Sequence, residues 1–149
     1  MKRSTGRLAV LCSLVAGFLA HGSLAHAGEC RRIRAEINLT EGTIEGNFGL
    51  DGTVAFVADG SGTPPVTAPP GSSVFSGILT ITTAQGAIEL RETGMFSSRT
   101  GSPSGPVLAS WGEALSGTGR YAGVTGDLFF GGVVVGGAFL LDVSGQLCR

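Results

Sequence analysis

The chain has 149 residues, 42% hydrophobic and 14% charged, with a formal net charge of −1. That length suits one domain with a core of its own, and the charge balance supplies no broad basic face of the kind that binds nucleic acid. With two histidines and one lysine, imidazole and amine chemistry have very few carriers.

Those carriers sit at the start of the chain. Lys2, Arg3 and Arg7 form a basic opening, Leu8 to Ala20 is an apolar run, and Ala25-His26-Ala27 has the small-x-small pattern of a cleavage site. Residues 1–27 are therefore expected to be a cleaved signal peptide, and 28–149 a single secreted or periplasmic domain. The apolar run is shorter than the roughly 20 residues a membrane span requires, and no later segment replaces it, so no span is expected in the mature protein. Cleavage removes His21, His26 and Lys2, and with them Ser-His-Asp and Cys-His nucleophile systems, histidine-containing metal sites and Schiff-base chemistry. All 11 acidic residues remain against seven arginines, a negative balance that argues against a polyanionic partner.

Cys12 lies in the leader, which leaves Cys30 and Cys148 as a pair at the two ends of the mature chain. In an oxidising compartment they are expected to form a disulfide; a C-x-x-C redox arrangement is absent.

From Gly28 onward, apolar residues alternate with polar ones between Gly, Asp, Asn and Pro clusters, the pattern of short strands joined by turns. Arg32 to Leu39 puts Ile33, Ala35, Ile37 and Leu39 on one face and Arg32, Arg34 and Glu36 on the other. A second strand is expected to carry Ile44, Gly46, Phe48 and Leu50 inward and to turn at Asp51-Gly52 into a third, Thr53 to Ala58. Residues 59–73, with two Pro-Pro pairs, read as a loop. Val74 to Thr83 and Ala87 to Ser97 form a hairpin, a second loop spans 98–106, and the strands Val107 to Leu115, Leu128 to Val134 and Ala138 to Cys148 complete the set. Eight antiparallel strands close as a β-barrel or stack as a β-sandwich; the cysteine parity, outward on both the first and last strands, suits a bridged barrel seam. Gly46, Gly77, Gly94 and Gly132 fall on the inward face, where small residues relieve crowding.

The segment Gly-Thr-Gly-Arg-Tyr-Ala-Gly-Val-Thr-Gly, residues 117–126, lacks the spacing and the lysine of a phosphate loop. Followed by Asp127-Leu-Phe-Phe-Gly-Gly132, it resembles the C-terminal half of bacterial exported relatives of the allene oxide cyclase and dirigent-like barrels. The resemblance implies an eight-stranded barrel with a central cavity, often in homo-oligomers, and a group whose members cyclise a fatty-acid epoxide or orient phenoxy radicals without a metal or organic cofactor. No functional residue of that group can be matched here position by position, and fold alone does not supply function.

Parity places Glu92 with Ile88, Leu90, Gly94 and Phe96, and Glu113 with Val107, Ala109, Trp111 and Leu115. Two inward carboxylates in one desolvated cavity would raise at least one pKa and permit acid–base work without histidine; a bulge or an arginine such as Arg91 or Arg99 would instead turn them to water. Trp111, Tyr121, Phe48 and Phe96 are the candidate ligand-binding residues, with Tyr121 alternatively an aromatic plug bonded to backbone. The expectation is an exported barrel that binds a small apolar ligand or acts as an interaction module; the alternative is a cofactor-free isomerase, cyclase or dirigent-like protein working through Glu92 and Glu113. No metal site and no cofactor are expected.

Overall fold

Each strand of this chain is hydrogen-bonded to its sequence neighbours, and the last to the first, so that the sheet closes into an eight-stranded antiparallel barrel. The computed structural model describes residues 28–62, 64, 68, 70–98 and 106–149. The signal peptide expected at 1–27, Arg99 and parts of both long connections lie outside the described residues. The strands are β1 (Cys30–Asn38), β2 (Thr43–Gly46), β3 (Gly52–Gly62), β4 (Ser72–Thr83), β5 (Gly86–Ser97), β6 (Val107–Gly117), β7 (Thr125–Val135) and β8 (Ala138–Cys148).

Alternation along each strand sorts side chains to the two faces of the wall. In β1, Ile33, Ala35 and Ile37 are buried while Arg32, Arg34 and Glu36 are exposed. In β8, Leu141, Val143 and Leu147 are buried while Asp142, Ser144 and Gln146 are exposed. On these two strands, charged and polar residues face out and apolar residues face in, the reverse of the outward apolar band of a lipid-facing barrel. Among the described residues, no helix is long and apolar enough to cross a membrane.

A barrel rather than a sandwich results because β1 and β8 pair over nine positions, from Cys30 opposite Cys148 to Asn38 opposite Leu140. The two cysteines are direct cross-strand partners and are joined by a disulfide.

Three sequence expectations fail on local geometry. The loop expected at 59–73 is narrower, because β3 runs on through Gly62 and β4 begins at Ser72. The second strand does not run on to Leu50 and turn at Asp51-Gly52: β2 stops at Gly46 and a 3-10 turn, Asn47–Gly49, follows. Phe48 adopts φ 63, the left-handed region that non-glycine residues seldom enter, and Asp51 Oδ1 accepts a hydrogen bond from Gly46 N across the turn. The face of β6 is also opposite to expectation. Leu108, Ser110, Gly112 and Ala114 point inward, and Val107, Trp111, Glu113 and Leu115 point out. Both faces of this strand carry apolar residues, so alternation cannot choose between them; pairing does. Ser110 and Gly112 lie opposite Phe130 and Leu128, two large buried side chains, and only small residues fit beside them.

The disulfide closes a separation of 118 residues, which in the chain-entropy treatment stabilises the fold by up to about 5 kcal/mol. Cys148→Ser should therefore lower the urea midpoint by several kcal/mol equivalent while leaving the strand signal in circular dichroism largely intact. Non-reducing peptide mapping of the unaltered protein should recover the Cys30–Cys148 linked peptide.

Candidate functional site

The barrel interior divides into a filled half and a hollow half. At the end where β1 begins and β8 ends, Ile33, Leu50, Ile81, Ile88, Val124, Leu128 and Leu147 pack together. Tyr121, fully buried in the 3-10 turn Gly119–Tyr121 between β6 and β7, seals that end. Its hydroxyl donates to the Gly49 carbonyl at 2.7 Å, and its ring centroid lies 5.8 Å from that of Phe48. The Arg120 guanidinium sits 5.3 Å from the Phe48 centroid on the outer side. This stack explains why the Phe48 backbone is held in a strained conformation: a regular strand would carry its ring elsewhere. Tyr121 is thus the aromatic plug bonded to backbone rather than a ligand-site residue, and Phe48, expected at a ligand site, is part of the same seal.

Toward the other end lies a cavity of about 350 Å³, lined by Ile37, Leu39, Phe56, Phe75, Leu79, Glu92, Phe96, Leu108, Phe130, Phe139 and Leu141. Phe56 and Phe75 meet edge to face with centroids 5.6 Å apart, and Phe96 and Phe139 lie 5.9 Å apart. Of the expected site residues, Phe96 and Glu92 reach this chamber. Phe139 and Leu141 were not singled out from sequence, although they share the odd-numbered, buried parity of Val143 and Leu147 in β8.

Among the described residues, Glu92 is the one ionisable group in the lining, and it is 5% exposed. Its cross-strand partners are glycines on both sides, Gly77 on β4 and Gly112 on β6. Aromatic rings occupy the space those residues leave: a Cβ at Gly77 would stand 2.6 Å from the Phe56 ring, and one at Gly112 would stand 3.1 Å from the Phe130 ring. The carboxyl is thus walled by two phenylalanines. Ser110 Oγ donates to Glu92 Oε1. Burial pushes the Glu92 pKa above the ordinary carboxylate value, and the Ser110 bond opposes that rise only in part. The adjacent Arg91 does not offset it, because it is turned outward into an ion pair with Asp59.

Glu113 does not join Glu92. It lies on the outer face of β6 opposite Arg91 and Asp127, and Trp111, 39% exposed, is outside as well, opposite Phe129 at 55%. The expected pair of interior carboxylates around a tryptophan is therefore corrected to a single acid among phenylalanines. Among the described residues no cluster of three His, Cys, Asp or Glu side chains could hold a metal ion. The site can offer one carboxylic acid, in an apolar chamber, to one polar atom of a guest.

The chain matches no protein-family model, no curated protein and no solved structure.

Two outcomes test this geometry. Since the folded protein holds the Glu92 proton more tightly than the unfolded chain, the associated stabilisation is complete below the ordinary value of 4.5 and is lost as pH rises through the raised value. The urea midpoint should fall over that interval, by about 1.4 kcal/mol for each tenfold tightening of the proton, and Glu92→Gln should remove that portion of the slope. Gly77→Ala should destabilise by roughly 1–3 kcal/mol in the same assay, because its methyl group would collide with the Phe56 ring and the Val57 carbonyl.

Proposed function

We propose that this protein is an exported β-barrel whose hollow half binds one small apolar molecule. The observation that carries the reading is the contrast within one interior: half is packed to the seal, and the other half keeps about 350 Å³ walled by apolar side chains and one acid. Ligand cavities in proteins span roughly 300–1,000 Å³, so this chamber suits a compact guest rather than a long chain or a cofactor. Export is supported by the basic-apolar-small pattern of residues 1–27 and by the Cys30–Cys148 disulfide, a bond favoured in oxidising compartments. The likeness of residues 117–132 to exported cyclase and dirigent-like barrels agrees with a barrel that receives a small molecule. An isomerase or cyclase built on two interior carboxylates is not proposed, because Glu113 is outside the barrel.

The hydrophobic dye N-phenyl-1-naphthylamine tests the reading. Its fluorescence should rise and shift to the blue on saturable binding of one dye per protein. Leu108→Trp, which fills the chamber from β6, should weaken uptake at least about tenfold, whereas Trp111→Ser, on the outer face of the same strand, should leave it unchanged. Equal effects of the two substitutions would place the dye on the surface and remove the proposal. Intact-mass measurement of protein recovered outside the cytoplasm should give a chain beginning at Gly28.

A further inference from the structure

Among the described residues the proposed chamber is almost uniformly hydrocarbon, so the chemistry of the Glu92 carboxyl decides which apolar molecules it prefers. Glu92 presents two carboxyl oxygens. One accepts the Ser110 hydroxyl proton; the other has no protein partner among the described residues, on a side chain that is 5% exposed and lines the cavity. In an apolar chamber that oxygen gains from a guest that pairs with it.

Which partner it takes follows from its surroundings. The inward positions flanking Glu92 are Gly77 on β4 and Gly112 on β6, with the Phe56 and Phe130 rings beside them, and Ser110 donates the hydrogen bond to it. No charged group faces Glu92 from these elements; Arg91 and Asp59 pair with each other on the outer face. A carboxyl so placed keeps its proton more firmly than one in water, and its free oxygen then carries an O–H. That O–H needs an acceptor. An anionic guest would bring a second uncompensated charge into the same apolar space, which is costlier still.

Resting on the ligand-binding reading above, we infer that the chamber selects a neutral, compact, largely hydrocarbon molecule bearing one hydrogen-bond-accepting oxygen, such as a ketone, held by the Glu92 carboxyl as donor. Ser110 is the positioning residue: its bond to Oε1 turns the other oxygen toward the guest.

Displacement of N-phenyl-1-naphthylamine by two rigid molecules of one skeleton, the ketone camphor and the hydrocarbon bornane, separates these ideas. At pH 4, below the ordinary carboxylate value, camphor should bind the unaltered protein about threefold to tenfold more tightly than bornane, the range a neutral hydrogen bond supplies. As pH rises and Glu92 ionises, that preference should shrink toward parity, because a carboxylate has no proton to donate. Glu92→Leu should show parity at every pH. Glu92→Gln, whose amide N–H₂ still donates, should keep the preference and hold it constant with pH. Parity in the unaltered protein at pH 4, or an undiminished camphor preference in Glu92→Leu, would overturn the inference. Bornane and camphor both displacing the dye with equal strength would do so while leaving the chamber as a ligand site; failure of the dye itself to bind would remove the chamber reading first.

Discussion

The pairing of β1 with β8 is the constraint on which the rest of this molecule depends. An open eight-stranded sheet would expose two rows of unpaired backbone groups and would have no inside. Nine cross-strand pairs between β1 and β8 satisfy both edges at once and convert one face of the sheet into an enclosed volume. Every buried residue then owes its burial to that closure, and so does the low polarity around Glu92. The disulfide lies at one end of the same seam, linking the first and last positions of the ladder.

Within the enclosed volume, the distribution of side chains rather than the wall creates a site. The Tyr121 and Phe48 seal and the aliphatic residues beneath it occupy one half. In the other half, phenylalanine rings lean onto glycines of neighbouring strands instead of reaching the barrel axis: Phe56 over Gly77, Phe130 over Gly112. A ring laid against the wall leaves the centre empty. Replacing hydrogen at either glycine would push the ring inward, so the glycines and the chamber are two aspects of one packing arrangement.

The sequence is legible where the two faces of a strand differ in polarity. β1, with arginines opposite isoleucines, and β5, where Ile88, Leu90 and Glu92 alternate with Glu89, Arg91 and Thr93, could be oriented from the chain alone, and Glu92 was found that way. β6 could not, since Trp111 and Val107 on one face and Leu108 and Ala114 on the other are both apolar; its orientation is set by the bulk of Phe130 and Leu128 next door. That ambiguity is what separated Glu113 and Trp111 from the site. Phe48 was misplaced for another reason: its left-handed turn is held by contacts with Tyr121 and Arg120, more than 70 positions away, which no local pattern encodes. Strand parity likewise shows which phenylalanines point inward but not whether they meet at the axis or lie along the wall.

The order of the strands also shapes how the chain reaches this state. Seven of the eight pairings join consecutive strands, so hairpins can form and accumulate from nearby contacts at little loop-closure cost. The eighth brings together residues 118 positions apart and gains nothing until both edges are in place. Loop-closure entropy thus puts seam closure after the hairpins, and Cys30 faces Cys148 when β1 and β8 are in register. Oxidation of that pair consequently acts as a latch on the finished ring: it cannot form readily from a chain whose hairpins are complete but whose circle is still open, and once formed it keeps the last gap from reopening.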